Sequence, residues 1–102
     1  MITWVRTANV NNGMFQGAME WALRASAYVN EKYGTNVSVH VNVAGPVNQL
    51  RWVATYESLT AFESVVTQLA TDEGYSDLLA ETGEAFHFAA ASVEDAMYRM
   101  VG

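Results

Sequence analysis

The sequence contains no cysteine, which excludes disulfide bonds, thiolate metal sites and a cysteine nucleophile. It is also poor in positive charge, with five lysine and arginine residues against eleven acidic ones and a formal charge of −6. This balance argues against a nucleic acid or an anionic membrane as a partner, because both attract basic surfaces. No apolar run approaches the roughly 18 residues of a membrane span, and the strand-like start at residues 1–6 lacks the shape of a signal peptide. Together these absences predict a cytoplasmic protein.

Apolar residues are abundant: they make up 51% of the 102 residues, whereas only 16% are charged. The length predicts one domain over residues 1–102. A small monomer must cover much of its surface with polar groups, so the apolar excess indicates burial between subunits.

The clearest structural signal is a hairpin over residues 36–57. Valines alternate with polar residues from Val37 to Val43, which is the period-two pattern of a strand. Gly45-Pro46 interrupts this pattern, and the alternation resumes with a second apolar set at Leu50, Trp52, Ala54 and Tyr56. The pattern predicts two antiparallel strands joined by a short Gly-Pro connection.

Residues 2–10 form the first predicted strand, and residues 14–33 form a helix with one apolar stripe. Asn11-Asn12-Gly13 provides turn and cap chemistry before this helix, and Gly34 ends it. Trp21 and Tyr28 lie at the flank of the stripe, where they either widen the core contact or meet another subunit.

A second helix follows the hairpin, with Ser58 or Thr60 as its N-cap and a Thr60–Glu63 capping box, and it ends near Asp72. A short extra helix is predicted around residues 75–79. Residues 84–92 fit either a helical turn or extended chain, and residues 93–101 form the last strand.

This order of elements, βαββαβ, predicts an α+β ferredoxin-like fold with a four-stranded antiparallel sheet and both main helices on one face. The opposite face of the sheet would carry apolar side chains in either case. If the helices cover one side of the first strand, Trp4 and Ile2 stay uncovered; if they cover the other side, Val5 stays uncovered with Thr3 and Thr7. Val53 joins the uncovered set. Packing two such sheets face to face would bury them. We therefore predict a homodimer.

Three segments resemble the dimeric α/β-barrel superfamily, which includes antibiotic-biosynthesis-monooxygenase-like, NIPSNAP-like and stress-responsive proteins. They are the helix entry at residues 56–63, the acidic, aromatic and leucine-rich stretch at residues 72–81, and the final strand at residues 92–100. The resemblance implies a homodimer whose sheets form a shared barrel, with a cavity between sheet and helices in each subunit. Members include cofactor-free oxygenases, haem-handling enzymes and isomerases, and no catalytic residue set is common to all of them.

His40 is the candidate catalytic residue, because a strand histidine on the polar parity between Ser38 and Asn42 could act as a general base. The alternative is a hydrogen-bonded histidine in a dimer interface. Arg6, Arg51 and Arg99 fall within predicted strands, where they could hold an anionic ligand or pair with Glu57, Glu94 or Asp95.

Aromatic residues supply the remaining candidates. Trp4, Trp52 and Tyr56 could line a pocket for a flat ligand, or they could be core and interface residues. His40 and His87 are the only imidazoles, and nothing in their spacing supports a metal site. No cofactor is predicted, and no phosphate loop or nucleophile elbow is present.

Two functions therefore stay open. The first is a cofactor-free enzyme, monooxygenase-like or isomerase-like, that acts on a small apolar or aromatic metabolite. In this enzyme His40 is the acid/base, and the ligand-binding residues are Trp4, Arg6, Arg51, Trp52 and Tyr56. The second is a non-catalytic ligand-binding or assembly module.

Overall fold

The computed structural model describes residues 1–102 as one four-stranded antiparallel sheet with helices on one side. The strands lie in the order β2-β3-β1-β4, which is the ferredoxin-like arrangement that the sequence predicts. The elements in chain order are β1 (Ile2–Asn9), α1 (Phe15–Tyr33), β2 (Ser38–Val41), β3 (Gln49–Tyr56), α2 (Leu59–Leu69), α3 (Glu73–Ala85), a short 3₁₀ turn (Ala90–Ser92) and β4 (Glu94–Arg99).

The core lies between the sheet and α1. Alternate residues of a strand point to opposite faces, and one parity of β1 and β3 packs on the buried stripe of α1. Leu50 is completely buried, and the residues packed around it include Ala8, Ala18, Ala22 and Trp52. Trp21 is buried as well, so it widens the core contact, which was one of the two alternatives for this residue.

The sheet face opposite the helices, here called the open face, has no cover within the chain. It carries Thr3, Val5 and Thr7 of β1 together with Val53 of β3, which the register places opposite Val5. The helices therefore cover the side of β1 that carries Ile2 and Trp4. Of the two apolar sets predicted to stay uncovered, the one with Val5 and Val53 is the one that remains on the open face.

The β2–β3 hairpin is shorter than predicted. Strand β2 ends at Val41, and Val43 is fully exposed within a connection over residues 42–48. The side-chain amide of Asn42 donates to the Pro46 carbonyl at 2.6 Å and to Gln49 Oε1 at 3.0 Å, which holds the connection in an open loop. Gly45 and Asn48 adopt positive φ angles of 98° and 55°, so the backbone turns at more than the Gly-Pro step.

The helix ends are partly as predicted. Gly34 ends α1 in a left-handed conformation with a φ of 66°, and the Ser58 hydroxyl caps α2 by accepting from the Ala61 N–H at 3.1 Å. The Thr60–Glu63 capping box is wrong, because the helix already begins at Leu59. Met14 occupies the N-cap position of α1 and contributes no side-chain cap.

Helix α3 is longer than the short helix predicted around residues 75–79. It begins after Asp72, runs for 13 residues to Ala85 and is capped by Phe86, which has a left-handed φ of 55°. The ambiguous segment after it is extended at Phe88, which bridges to Val10, and then forms the 3₁₀ turn. None of the three helices is long and apolar enough to cross a membrane.

Candidate functional site

The sheet separates the predicted site residues into two groups. Register and alternation place one group on the helix side of the sheet and the other on the open face. The helix-side group is Trp4, Arg6, Trp52 and Tyr56, and the open-face group is His40 and Arg51. Since a sheet lies between them, the two groups of one chain do not meet at a single small ligand.

Trp52 lies in the core, where it is 8% exposed. Its ring packs edge-to-face on Phe88 at a centroid distance of 5.6 Å, and Phe88 packs in the same way on Trp21 at 5.7 Å. The indole N–H of Trp21 donates to the Leu78 carbonyl of α3 at 2.7 Å. Trp52 thus belongs to an aromatic stack that joins the sheet to α1 and α3.

Trp4 and Tyr56 belong to a second aromatic group, which is only half-buried. Phe62 of α2 lies between them, at 6.4 Å from the Trp4 ring and 5.2 Å from the Tyr56 ring. Burial raises the pKa of the Tyr56 hydroxyl, so this phenol stays protonated at neutral pH. Trp4, Tyr56 and Phe62 are here called the aromatic wall.

Arg6 stands beside this wall and forms a two-pronged ion pair with Asp95 of β4. The guanidinium Nε and Nη2 donate to Oδ1 and Oδ2 at 2.7 and 2.8 Å, and the register places the two residues opposite each other. The guanidinium carbon lies 5.4 Å from the centre of the Trp4 ring. Arg6 thus shows the cross-strand pairing with Asp95 that was one of the two interpretations of the strand arginines.

The ion pair is accessible to solvent, with side-chain exposures of 38% for Arg6 and 41% for Asp95. Arg6 holds the pKa of the Asp95 carboxyl below its usual range, and Asp95 in turn raises the pKa of Arg6. Asp95 occupies Nε and one side of Nη2, and the Tyr75 side chain also lies close enough to the guanidinium to raise the pKa of Arg6. A positive donor group next to an aromatic surface can bind an oxygen of a flat ligand.

His40 and Arg51 are neighbours across β2 and β3 on the open face. His40 is exposed, and its Nε2 lies 2.8 Å from the Ser38 hydroxyl. Arg51 is half-buried and donates from Nε to the Thr7 hydroxyl at 3.4 Å. Neither Arg51 nor Arg99 forms an ion pair within the chain.

His87 lies in the helix layer, away from His40. Its Nδ1 lies 3.0 Å from the Thr82 hydroxyl, and its ring contacts Phe88 edge-to-face. The structure shows no group of three or more histidine or acidic side chains placed to hold a metal ion.

Two solvent-open clefts lie at the ends of the sheet. One, of about 240 Å³, lies between the start of α1 and the β2–β3 connection and contains none of the predicted residues. The other, of about 270 Å³, lies between the end of α1 and the start of α2 and is lined by Tyr56 together with Tyr33, Asn36 and Glu57. Both are below the 300–1,000 Å³ common for ligand pockets.

Sequence reasoning missed a buried carboxylate at Asp72, which is 6% exposed. Its oxygens accept from the Tyr28 hydroxyl at 2.6 Å, the Tyr75 N–H at 2.9 Å and the Lys32 ammonium at 2.8 Å, and also from the Tyr33 hydroxyl. These partners hold the pKa of the carboxyl far below its usual range, Lys32 contributing most. Both carboxylate oxygens accept hydrogen bonds, so Asp72 links α1 to the start of α3 and is not available as a base.

An N-cap signal was visible in the sequence, since Asp72-Glu73-Gly74 precedes a helical pattern. The tyrosine partners were not visible, because Tyr28 and Tyr33 come from a helix about 40 positions earlier in the chain.

Gly74→Ala is expected to destabilise the protein by about 1 to 3 kcal/mol, as overpacking does. A Cβ at position 74 would lie 2.8 Å from Cζ of Tyr28, which Asp72 holds in place. Gly83→Ala is the matched control in the same helix, because a Cβ there meets nothing within 4 Å. The control is expected to stabilise the protein by up to about 1 kcal/mol through helix propensity. Urea unfolding measures both, and equal shifts would contradict the close contact.

Comparison with known proteins identifies the fold. The sequence matches no family model and no curated protein. Solved structures do match: a NIPSNAP family protein of Agrobacterium tumefaciens is 17% identical with a TM-score of 0.82, over 98% of this chain and 92% of that chain. A NIPSNAP domain protein of Burkholderia xenovorans is 12% identical with a TM-score of 0.82, over 99% of this chain and 95% of that chain.

An enzyme structure matches as well. The cofactor-independent oxygenase SnoaB of Streptomyces nogalater is 13% identical with a TM-score of 0.70, over 97% of this chain and 91% of that chain. These matches show that the chain shares its fold with solved NIPSNAP and antibiotic-biosynthesis-monooxygenase structures.

Proposed function

We propose that the protein is a homodimeric, cofactor-free enzyme, oxygenase-like or isomerase-like, acting on a small aromatic metabolite on the helix side of the sheet. The observation that carries this proposal is the accessible Arg6–Asp95 ion pair beside the aromatic wall. The cofactor-independent oxygenase among the structural relatives supports it by analogy. We place the enzyme in the cytoplasm, in keeping with the cysteine-free sequence.

Each group has a physical role in this site. The half-buried faces of Trp4 and Tyr56 favour a flat apolar ring, and the Arg6 guanidinium donates hydrogen bonds to an oxygen on that ring. A fixed positive charge stabilises negative charge that develops on such an oxygen when the substrate loses a proton. Asp95 is a positioning residue, because its two hydrogen bonds hold the guanidinium in orientation. Arg6 lowers the pKa of the Asp95 carboxyl, which makes Asp95 a poor base.

Arg6→Met is expected to weaken the binding of 1-naphthol by about 10- to 100-fold, because a hydrogen bond to a charged group is worth about 1.5 to 3 kcal/mol. Naphthalene lacks the oxygen, so its affinity is expected to change little. Quenching of tryptophan fluorescence measures both affinities, and circular dichroism checks that the variant is folded. Equal losses for the two probes would contradict the role of Arg6.

His40→Ala is the matched control for this site. His40 lies on the open face, so its removal is expected to leave 1-naphthol binding unchanged. His40 as acid/base is a separate proposal, which requires a substrate held between the sheets of two subunits. A loss of turnover in His40→Ala, with binding at the helix side intact, would support that second location.

The homodimer is proposed from the open face. Val5 and Val53 are half-buried there without a covering layer, and the neighbouring Tyr98 is 57% exposed. A second copy of the same sheet would cover these residues. Native mass spectrometry is expected to show a dimer, and a monomer at micromolar concentration would contradict it.

The alternative function is a non-catalytic ligand-binding or assembly module. The observation in its favour is that Trp52 is buried in the core and not available to a ligand. A dimer that binds neither 1-naphthol nor naphthalene would favour this alternative.

A further inference from the structure

The open face is arranged in cross-strand rows of similar chemistry. In two of these rows the strand register places one residue of each strand. The charged row contains His40, Arg51, Thr7 and Glu94, and the apolar row beside it contains Ser38, Val53, Val5 and Ala96.

An amide row lies on the other side of the charged row. The Asn42 amide donates to Gln49 at 3.0 Å, and the Gln49 amide donates to Asn9 at 3.1 Å. Amides both donate and accept, so this row is complementary to a second copy of itself.

The charged row is polarised from one edge of the sheet to the other. His40 and Arg51 lie on β2 and β3, whereas Glu94 lies on β4 at the opposite edge. Thr7 separates Arg51 from Glu94, and two strand spacings of about 4.8 Å place their strands about 10 Å apart. Neither side chain has an ion partner within the chain.

Two-fold symmetry determines what each row would meet in a face-to-face dimer. An axis parallel to the strands places each row on its own copy with the order of strands reversed. Apolar residues then face apolar residues, and amides face amides. Glu94 on β4 faces His40 of the partner subunit, with Arg51 of the partner subunit one strand spacing of about 4.8 Å away and within reach of both long side chains. An axis across the strands would reverse the order of the rows, so that the apolar row would face the amide row or the charged row, which is costly for the polar groups.

We infer that the two subunits pair with their strands nearly aligned, so that Glu94 of one subunit forms an ion pair with Arg51 of the partner subunit. The observation behind this inference is that the charged row is acidic at one end and basic at the other, while the apolar and amide rows beside it can each pack on a second copy of themselves. The inference rests on the proposed homodimer. His40 lies next to Arg51 and adds a hydrogen-bond donor for the same carboxylate. The ion pairs fix the register of the interface.

The test uses two complementary charge reversals, Arg51→Glu and Glu94→Arg. Each variant alone opposes like charges across the dimer, so its dissociation constant is expected to rise about tenfold or more. In an equimolar mixture both contacts become attractive in the mixed dimer. Native mass spectrometry resolves the dimers by mass and is expected to show mixed dimers well above the half that random assortment gives.

A matched pair of variants serves as the control. Arg99→Glu and Glu63→Arg make the same charge changes away from the open face, on the helix side of β4 and on α2. Their mixture is expected to assort at random. The double variant Arg51→Glu/Glu94→Arg, with its contacts restored, is expected to recover the wild-type dissociation constant.

The outcomes separate this inference from the proposed function. If the wild-type protein is a stable dimer but the Arg51 and Glu94 variants assort at random, the ion pair is overturned and the proposed homodimer is not. A monomeric wild-type protein would overturn the dimer and the ion pair together.

Discussion

Trp52→Ala is expected to lower the free energy of unfolding by about 3 to 5 kcal/mol, the usual cost of removing a large aromatic side chain from a core. Trp52 is 8% exposed, and its loss would leave Phe88 without its partner on the sheet. Phe88 also contacts Trp21, so the cavity would extend toward α1. Urea unfolding followed by circular dichroism measures the change.

Trp4→Ala is the control for this substitution. Trp4 is only half-buried, so its loss is expected to cost less stability and more affinity for an aromatic probe. A stable Trp52→Ala variant that no longer binds 1-naphthol would contradict the core assignment and return Trp52 to the ligand site.

Asp72→Ala is expected to be the most destabilising exchange of a polar residue in this chain. It would leave the hydroxyls of Tyr28 and Tyr33 and the first turn of α3 without their common acceptor. Ser58→Ala provides the comparison, because Ser58 caps α2 through a single hydrogen bond and its loss is expected to cost about 1 kcal/mol. Thermal unfolding ranks the two variants, and a smaller effect for Asp72→Ala would contradict the role of the cluster.

The contribution of the Asp72 charge depends on pH with a defined sign. Folding lowers the pKa of this carboxyl, so the folded state is stabilised fully above the unfolded value of about 3.9, and this stabilisation is lost as the pH falls below it. Asp72→Asn keeps a capping side chain without the charge. The stability difference between wild type and this variant is expected to be large at pH 7 and to shrink below about pH 4. A constant difference would show that the charge itself contributes nothing.

The aromatic residues divide into two sets with different roles. Trp21 and Trp52 are buried and stack on the partly buried Phe88, which fixes the sheet on the helices. Trp4, Phe62 and Tyr56 are half-buried on the same side of the sheet as the Arg6–Asp95 pair. Under the proposed function, stability and ligand binding depend on separate residues, so substitutions can test them separately.

Much of the fold followed from local patterns. The alternation on either side of Gly45-Pro46 placed Leu50, Trp52, Ala54 and Tyr56 on one side of a strand, and the structure places that side against the helices. Period two and period 3.6 are properties of neighbouring residues, so the sequence alone determined the element order and the ferredoxin-like plan.

Element ends depended on contacts that local patterns do not contain. Asn42 bonds across the loop to Pro46 and Gln49, which ends β2 before Val43. Helix α3 starts at the Asp72 cap, whose carboxylate is held by residues of α1, and so the helix is longer than its own apolar pattern indicates.

The candidate site depended on the tertiary structure most of all. Parity within a strand shows which of its own residues share a face, but only the register between strands decides which residues of different strands do. The register pairs His40 with Arg51 and Arg51 with Thr7, which puts His40 on the face opposite Trp4 and Arg6. The Arg6–Asp95 pair joins residues 89 positions apart, because strand order and register set their contact. Hydrophobic periodicity determined the layers, whereas the pairing of distant strands decided which side chains meet, since that pairing is a property of the whole chain.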